Sequence, residues 1–84
     1  MYRIRNYPEA SGQIAALPDE ALESYAQALG VLELVPWNGK HYNEDNPNGN
    51  MRQIVFGAHG RGIVTYLILE DQQLVDVLRV VWVG

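Results

Sequence analysis

Apolar residues in this chain recur first at three- and four-residue spacings and later at every second position, which predicts helices before residue 36 and strands after residue 50. The start is the exception. Tyr2-Arg3-Ile4-Arg5 alternates apolar with cationic side chains and is halted by Pro8, so a short strand is expected over residues 2–5 with Tyr2 and Ile4 on its covered face. A first helix is predicted over residues 8–16. Pro8 suits its first turn, Glu9 favours the dipole there, and Ala10, Ile14 and Leu17 share a stripe that Gly12 weakens. The clearest element follows. Pro18, Asp19 and Glu20 make a helix start, and Ala21, Leu22, Tyr25, Ala26, Leu29 and Leu32 then form an amphipathic stripe over residues 18–33, ended before Pro36.

Residues 36–50 hold five asparagines, two glycines and two prolines, a mixture that favours turns, and they are read as one long loop. Fifteen residues without regular structure are unusual in so small a domain and mark a functional or a mobile segment, here weighted down by Trp37 and Tyr42. Three strands then follow at residues 51–56, 63–69 and 74–83, joined by a glycine-rich turn and by Glu70-Asp71-Gln72-Gln73. In the last strand both parities are apolar: Val75, Val77, Val81 and Val83 on one side, Leu74, Leu78, Val80 and Trp82 on the other. Such a strand is either covered on both faces or offers one face to another chain. The expected architecture is a single α+β domain over residues 1–84, a two-layer β-α-α-β-β-β arrangement with an antiparallel sheet and both helices on one face.

Composition narrows the chemistry. Apolar content of 48% with 19% charged residues excludes a disordered tail, and the lack of any cysteine excludes disulfide scaffolds, thiolate zinc sites and cysteine nucleophiles. No window is apolar enough for a spanning helix and no signal sequence is evident, so the cytoplasm is the expected location and no membrane partner is expected. The net charge of −4 speaks against diffuse attachment to nucleic acid. Only residues 36–62 run positive, with Lys40, Arg52 and Arg61 against Glu44 and Asp45, and both histidines, His41 and His59, fall there too.

The segments Met51-Arg52-Gln53-Ile54-Val55-Phe56-Gly57, Gly62-Ile63-Val64-Thr65-Tyr66 and Val75-Asp76-Val77-Leu78-Arg79-Val80 carry an arginine opening the second strand, a tyrosine late in the third and a valine-rich fourth. In this element order the chain resembles the RelE/ParE superfamily of bacterial toxins from type II toxin–antitoxin modules. The resemblance implies a cognate antitoxin as partner. It further implies either mRNA cleavage at the ribosome, as by RelE-like members, or inhibition of DNA gyrase, as by ParE-like ones. Arg52 falls where the family places an arginine on the sheet, whereas Ile63 takes the place of the arginine usually found three residues before the tyrosine, with Arg61 nearby. Ribonuclease-type members carry functional arginine, histidine or tyrosine side chains after the last strand. The sequence here ends at Val81-Trp82-Val83-Gly84 with none of them, which leaves catalysis open and makes a non-catalytic binding module of the same fold the alternative.

The expected site is therefore a phosphate-holding cluster of Arg52, His41, Lys40 and Arg61, brought together by the 36–50 segment folding over Arg52; the competing reading is that most of them are solvated loop residues. Glu44 and Asp45 are more simply read as turn caps than as general bases. The run from Glu44 to Val55 lacks the first and last ligands of a calcium loop, and two histidines eighteen apart give no zinc spacing, so no metal or cofactor is expected. Arg79, inside an apolar strand, should be answered by Asp76, Glu33 or a partner's carboxylate, and Trp82 is the second candidate for partner binding.

Overall fold

The computed structural model describes residues 1–46 and 48–84; Pro47, inside the expected 36–50 loop, lies outside the described residues. The elements are β1 (Arg3–Asn6), α1 (Pro8–Ala15), α2 (Asp19–Leu34), β2 (Lys40–His41), β3 (Met51–Phe56), β4 (Gly62–Leu69) and β5 (Leu74–Trp82). They form one five-stranded sheet in the order β1-β5-β4-β3-β2. Both helices pack on one of its faces. Ala10 of α1 and Ala21, Tyr25, Ala28 and Leu32 of α2 join Val64, Tyr66, Ile68, Val75, Val77 and Val80 in a single core.

Three expectations need correction. The sheet is mixed, because β1 runs parallel to β5, with Ile4 beside Val75, while the other pairs are antiparallel. Two helices carry the chain from β1 to the far side of the sheet, and the strand is then met in the parallel sense only at the end of the chain, a pairing no local pattern encodes. The 36–50 segment is also not one loop: Pro36–Asn38 forms a 3-10 turn and Lys40–His41 is a two-residue strand against Arg52 and Gln53. Two residues are too few for alternation to register.

The third correction concerns β5. Thr65 pairs with Arg79 but Tyr66 pairs with Val77, so Leu78 is an extra residue in a β-bulge. The bulge shifts the phase of the strand. Val75, Val77, Val80 and Trp82 consequently share the helix side, in place of the simple odd and even split expected for them. Beyond β1, the free edge of β5 is closed by α1, where the Val80 N–H donates to Gln13 Oε1 at 2.6 Å.

Two glycines mark close approaches. Gly57 has φ +83°, a left-handed conformation at the end of β3, and a Cβ there would meet the Trp82 ring at 2.7 Å. At Gly39 a Cβ would fall on the Tyr66 hydroxyl. These contacts let the Pro36–Asn38 turn and the β3–β4 turn lie directly on the core.

Candidate functional site

The strand register sorts the cations. Alternation places Arg3 and Arg5 of β1, Arg79 of β5 and Lys40 of β2 on the face away from the helices, over a floor that includes Ile63, Leu67, Leu69 and Val81. No element covers that face among the described residues. Among the described residues of its strands the single acid is Asp76, 2% exposed, and Asp76 is taken: Arg5 donates from Nε at 2.8 Å and from a terminal nitrogen at 3.0 Å, a bidentate pair. The pair raises the Arg5 pKa, first through the hydrogen bond and then through the carboxylate's charge. Asp76 therefore does not answer Arg79, which stays exposed with no partner among the described residues.

The helical layer is the reverse. α1 and α2 carry Glu9, Asp19, Glu20, Glu23 and Glu33 and no lysine, arginine or histidine. A net charge of −4 thus conceals a molecule with an acidic helical side and a cationic sheet face.

The expected cluster is divided by the fold. His41 is the register partner of Arg52, on the helix side of the sheet, whereas Lys40 pairs with Gln53 and projects from the opposite face, because neighbouring residues of a strand alternate. Arg61 and His59 lie in the exposed turn at the other end of β3, remote from Arg52. Arg52 does sit beneath the 36–50 segment. Its Nε donates to the Gly49 carbonyl at 3.0 Å, one terminal nitrogen donates to the Trp37 and Gly39 carbonyls at 3.2 and 3.1 Å, and the guanidinium lies 5.2 Å from the Trp37 ring centre. Trp82 stacks on Phe56 with ring centres 5.8 Å apart, half-buried beside the core.

A second polar knot flanks this clamp. Glu70 accepts hydrogen bonds from the Tyr2 hydroxyl and the Trp37 indole N–H, both at 2.6 Å, and from Gln73 at 2.7 Å. The Tyr2 bond, then the Trp37 bond, hold the Glu70 carboxyl below its ordinary value of 4.5, while the same carboxylate raises the Tyr2 phenol. A depressed folded pKa stabilises the fold above the unfolded value and loses that contribution as pH falls through the folded one. Glu70→Gln should therefore flatten the loss of stability on acidification below about pH 4.5. Urea unfolding at neutral and acidic pH measures it; an unchanged difference between the two pH values would exclude Glu70 as a contributor.

No group of three or more histidine, aspartate or glutamate side chains suited to a metal occurs among the described residues, and no helix is long and apolar enough to cross a membrane. What the uncovered face can do is bind. Exposed guanidinium and ammonium groups around an apolar floor suit a phosphate backbone with bases or ribose against the floor.

No protein-family profile matches the chain, and no curated protein matches it in sequence. Solved structures do match in shape. A chain of the intact E. coli RelBE toxin–antitoxin complex superposes with a TM-score of 0.80 over 100% of this chain and 99% of its own length, at 15% identity. The isolated E. coli RelE toxin gives 0.80 at 14% identity, over 100% of this chain and 86% of its own. A chain of the RelBE2 toxin–antitoxin complex of Mycobacterium tuberculosis gives 0.77 at 23% identity over 98% of both. The fold is that of these RelE structures. The chain has a RelE-like α+β fold whose outward sheet cations come from β1, β2 and β5.

Proposed function

We propose that this protein is the toxin of a toxin–antitoxin module, held in check by a cognate antitoxin, and that it seats mRNA on the uncovered face of its sheet. The observation that carries the reading is the segregation of charge on a RelE fold: Arg3, Arg79 and Lys40 face outward on a layer whose single described acid is already paired. Arg79 is the leading phosphate contact, since it is exposed and unpaired among the described residues. In RNA cleavage such a cation would stabilise the charge spreading over the phosphorus centre. Arg52 acts at one remove, by fixing the segment that carries Lys40, and His41 stands beside it.

Induced expression should arrest growth, and mapped RNA ends in the arrested cells should show new cuts in translated messages. Arg79→Ala should relieve the arrest without loss of folding. In single-stranded RNA binding, removing one phosphate contact should lower the slope of log affinity against log salt by about 0.7. An unchanged slope in Arg79→Ala and Arg3→Ala would remove the uncovered face from RNA binding.

A second reading, a binding module without catalysis, is favoured by one observation: among the described residues neither histidine nor a free carboxylate projects from that face. Growth arrest with intact messages would select it. A supercoiling assay would then test gyrase as the target.

A further inference from the structure

We propose that Gln53 and Thr65 determine which nucleic acid the sheet face accepts: together they hydrogen-bond a ribose 2′-hydroxyl held between Lys40 and Arg79, and so select RNA over DNA. The inference rests on the proposed seating of RNA on that face and adds to it the residues that recognise the sugar.

The strand register composes the site. Lys40 pairs with Gln53, Gln53 with Thr65 and Thr65 with Arg79, so four polar side chains stand in one row that crosses β2, β3, β4 and β5 on the uncovered face. With neighbouring strands about 4.8 Å apart, the two cations are rooted roughly 14 Å from each other. The flanking rows are apolar. Val55, Ile63 and Val81 form one, and Met51 and Leu67 form the other.

Arg79 belongs to this row only through the bulge. Val75 and Val77 face the core, and simple alternation would turn residue 79 the same way. The extra residue, Leu78, reverses the phase and brings Arg79 opposite Thr65. An arginine on the helix side would be buried among valines, so the bulge both avoids that cost and completes the row.

Between the cations the row changes character. Neither the Gln53 amide nor the Thr65 hydroxyl hydrogen-bonds any described residue. Gln53 is half-buried, and Thr65, at 8% exposure, lies deepest in the row, where its hydroxyl still reaches the surface. Cations hold phosphates and read nothing else of the ligand. An amide and a hydroxyl each offer a donor and an acceptor, which a ribose 2′-hydroxyl, itself donor and acceptor, can answer. A deoxyribose in the same place would cover both groups and satisfy neither, and a covered polar group without a partner costs more than its bond would have contributed.

The test is fluorescence anisotropy on the full chain with labelled single-stranded oligouridylate and its 2′-deoxy counterpart. The ribo-oligomer should bind about fivefold to thirtyfold tighter, the penalty for one or two polar groups covered without partners. In Q53L/T65V its affinity should fall to that of the deoxy-oligomer, whose own affinity should stay unchanged or rise. Gln53→Leu alone, at a half-exposed position, should close part of the gap and keeps the test decisive if the double variant melts early. Arg79→Ala should weaken both oligomers and leave their ratio intact. Equal binding of the two oligomers by the unaltered protein, or a ratio that survives these substitutions of Gln53 and Thr65, would overturn the inference while leaving RNA on the face. Failure of both oligomers to bind would overturn the RNA reading itself, and this inference with it.

Discussion

Tyr66→Phe is expected to lower stability by about 1–3 kcal/mol, while Tyr25→Phe leaves it unchanged or slightly higher. Both phenols are buried, at 0% and 5% exposure, but only one has a partner. The Tyr66 hydroxyl donates to the Pro36 carbonyl at 2.6 Å, and Pro36 is itself fully buried, so deleting the oxygen strands an acceptor that water cannot reach. The Tyr25 hydroxyl finds no partner among the described residues, and its ring meets Phe56 edge-on at 5.5 Å, a contact that phenylalanine keeps. Thermal unfolding separates them, at about 4–8 °C per kcal/mol for a domain of this size. Equal losses in the two variants would show that the Pro36 bond contributes nothing.

Alkaline titration provides a second readout. Burial pushes both phenols up to about 12 from the ordinary 10.0, the Arg52 charge acting weakly the other way on Tyr66. A raised folded pKa leaves stability intact below the unfolded value. The native state then loses ground between about pH 10 and 12 as the unfolded chain ionises more readily.

What the sequence disclosed follows the range over which each interaction acts. The stripe of α2 was legible because Ala21, Tyr25 and Leu32 repeat at helical spacing, and all three are core residues. The bounds of β3, β4 and β5 were legible from β-branched runs between turn residues. Alternation in Tyr2-Arg3-Ile4-Arg5 likewise put Ile4 on the core and both arginines outside. Uniting those arginines with Arg79 and Lys40 requires the strand order, which is a long-range property. The bulge at Leu78 was hidden for a related reason. It inverts the parity of Val80 and Trp82 without changing any residue type.

Arg52 illustrates the same boundary from the side of the site. Its sequence position suggested a phosphate contact, and the asparagine-rich segment does fold over it, but the carbonyls of Trp37, Gly39 and Gly49 converge on its guanidinium. Five N–H donors in a planar fork can serve three such acceptors at once, and no shorter or single-headed cation can. Composition announces a loop; it does not announce which side chain staples it.

Arg52→Met should therefore cost about 2–4 kcal/mol, because hydrogen bonds from a charged donor contribute about 1.5–3 kcal/mol each and overlapping ones do not add. Arg52→Lys should recover only part of that loss, since an ammonium cannot span Gly49 on one side and Trp37 with Gly39 on the other. Hydrogen exchange should quicken first at Tyr42, whose N–H bonds to Met51, and at Lys40 and His41, before α2 responds. Under the proposed function, any loss of growth arrest in Arg52→Met would then travel with loosening of the segment that carries Lys40. Under the same proposal Arg79→Ala should lose growth arrest with exchange and melting unchanged, and a uniform rise in exchange across α2 and β2 in Arg52→Met would show that the arginine stabilises the whole fold without acting as a local clamp.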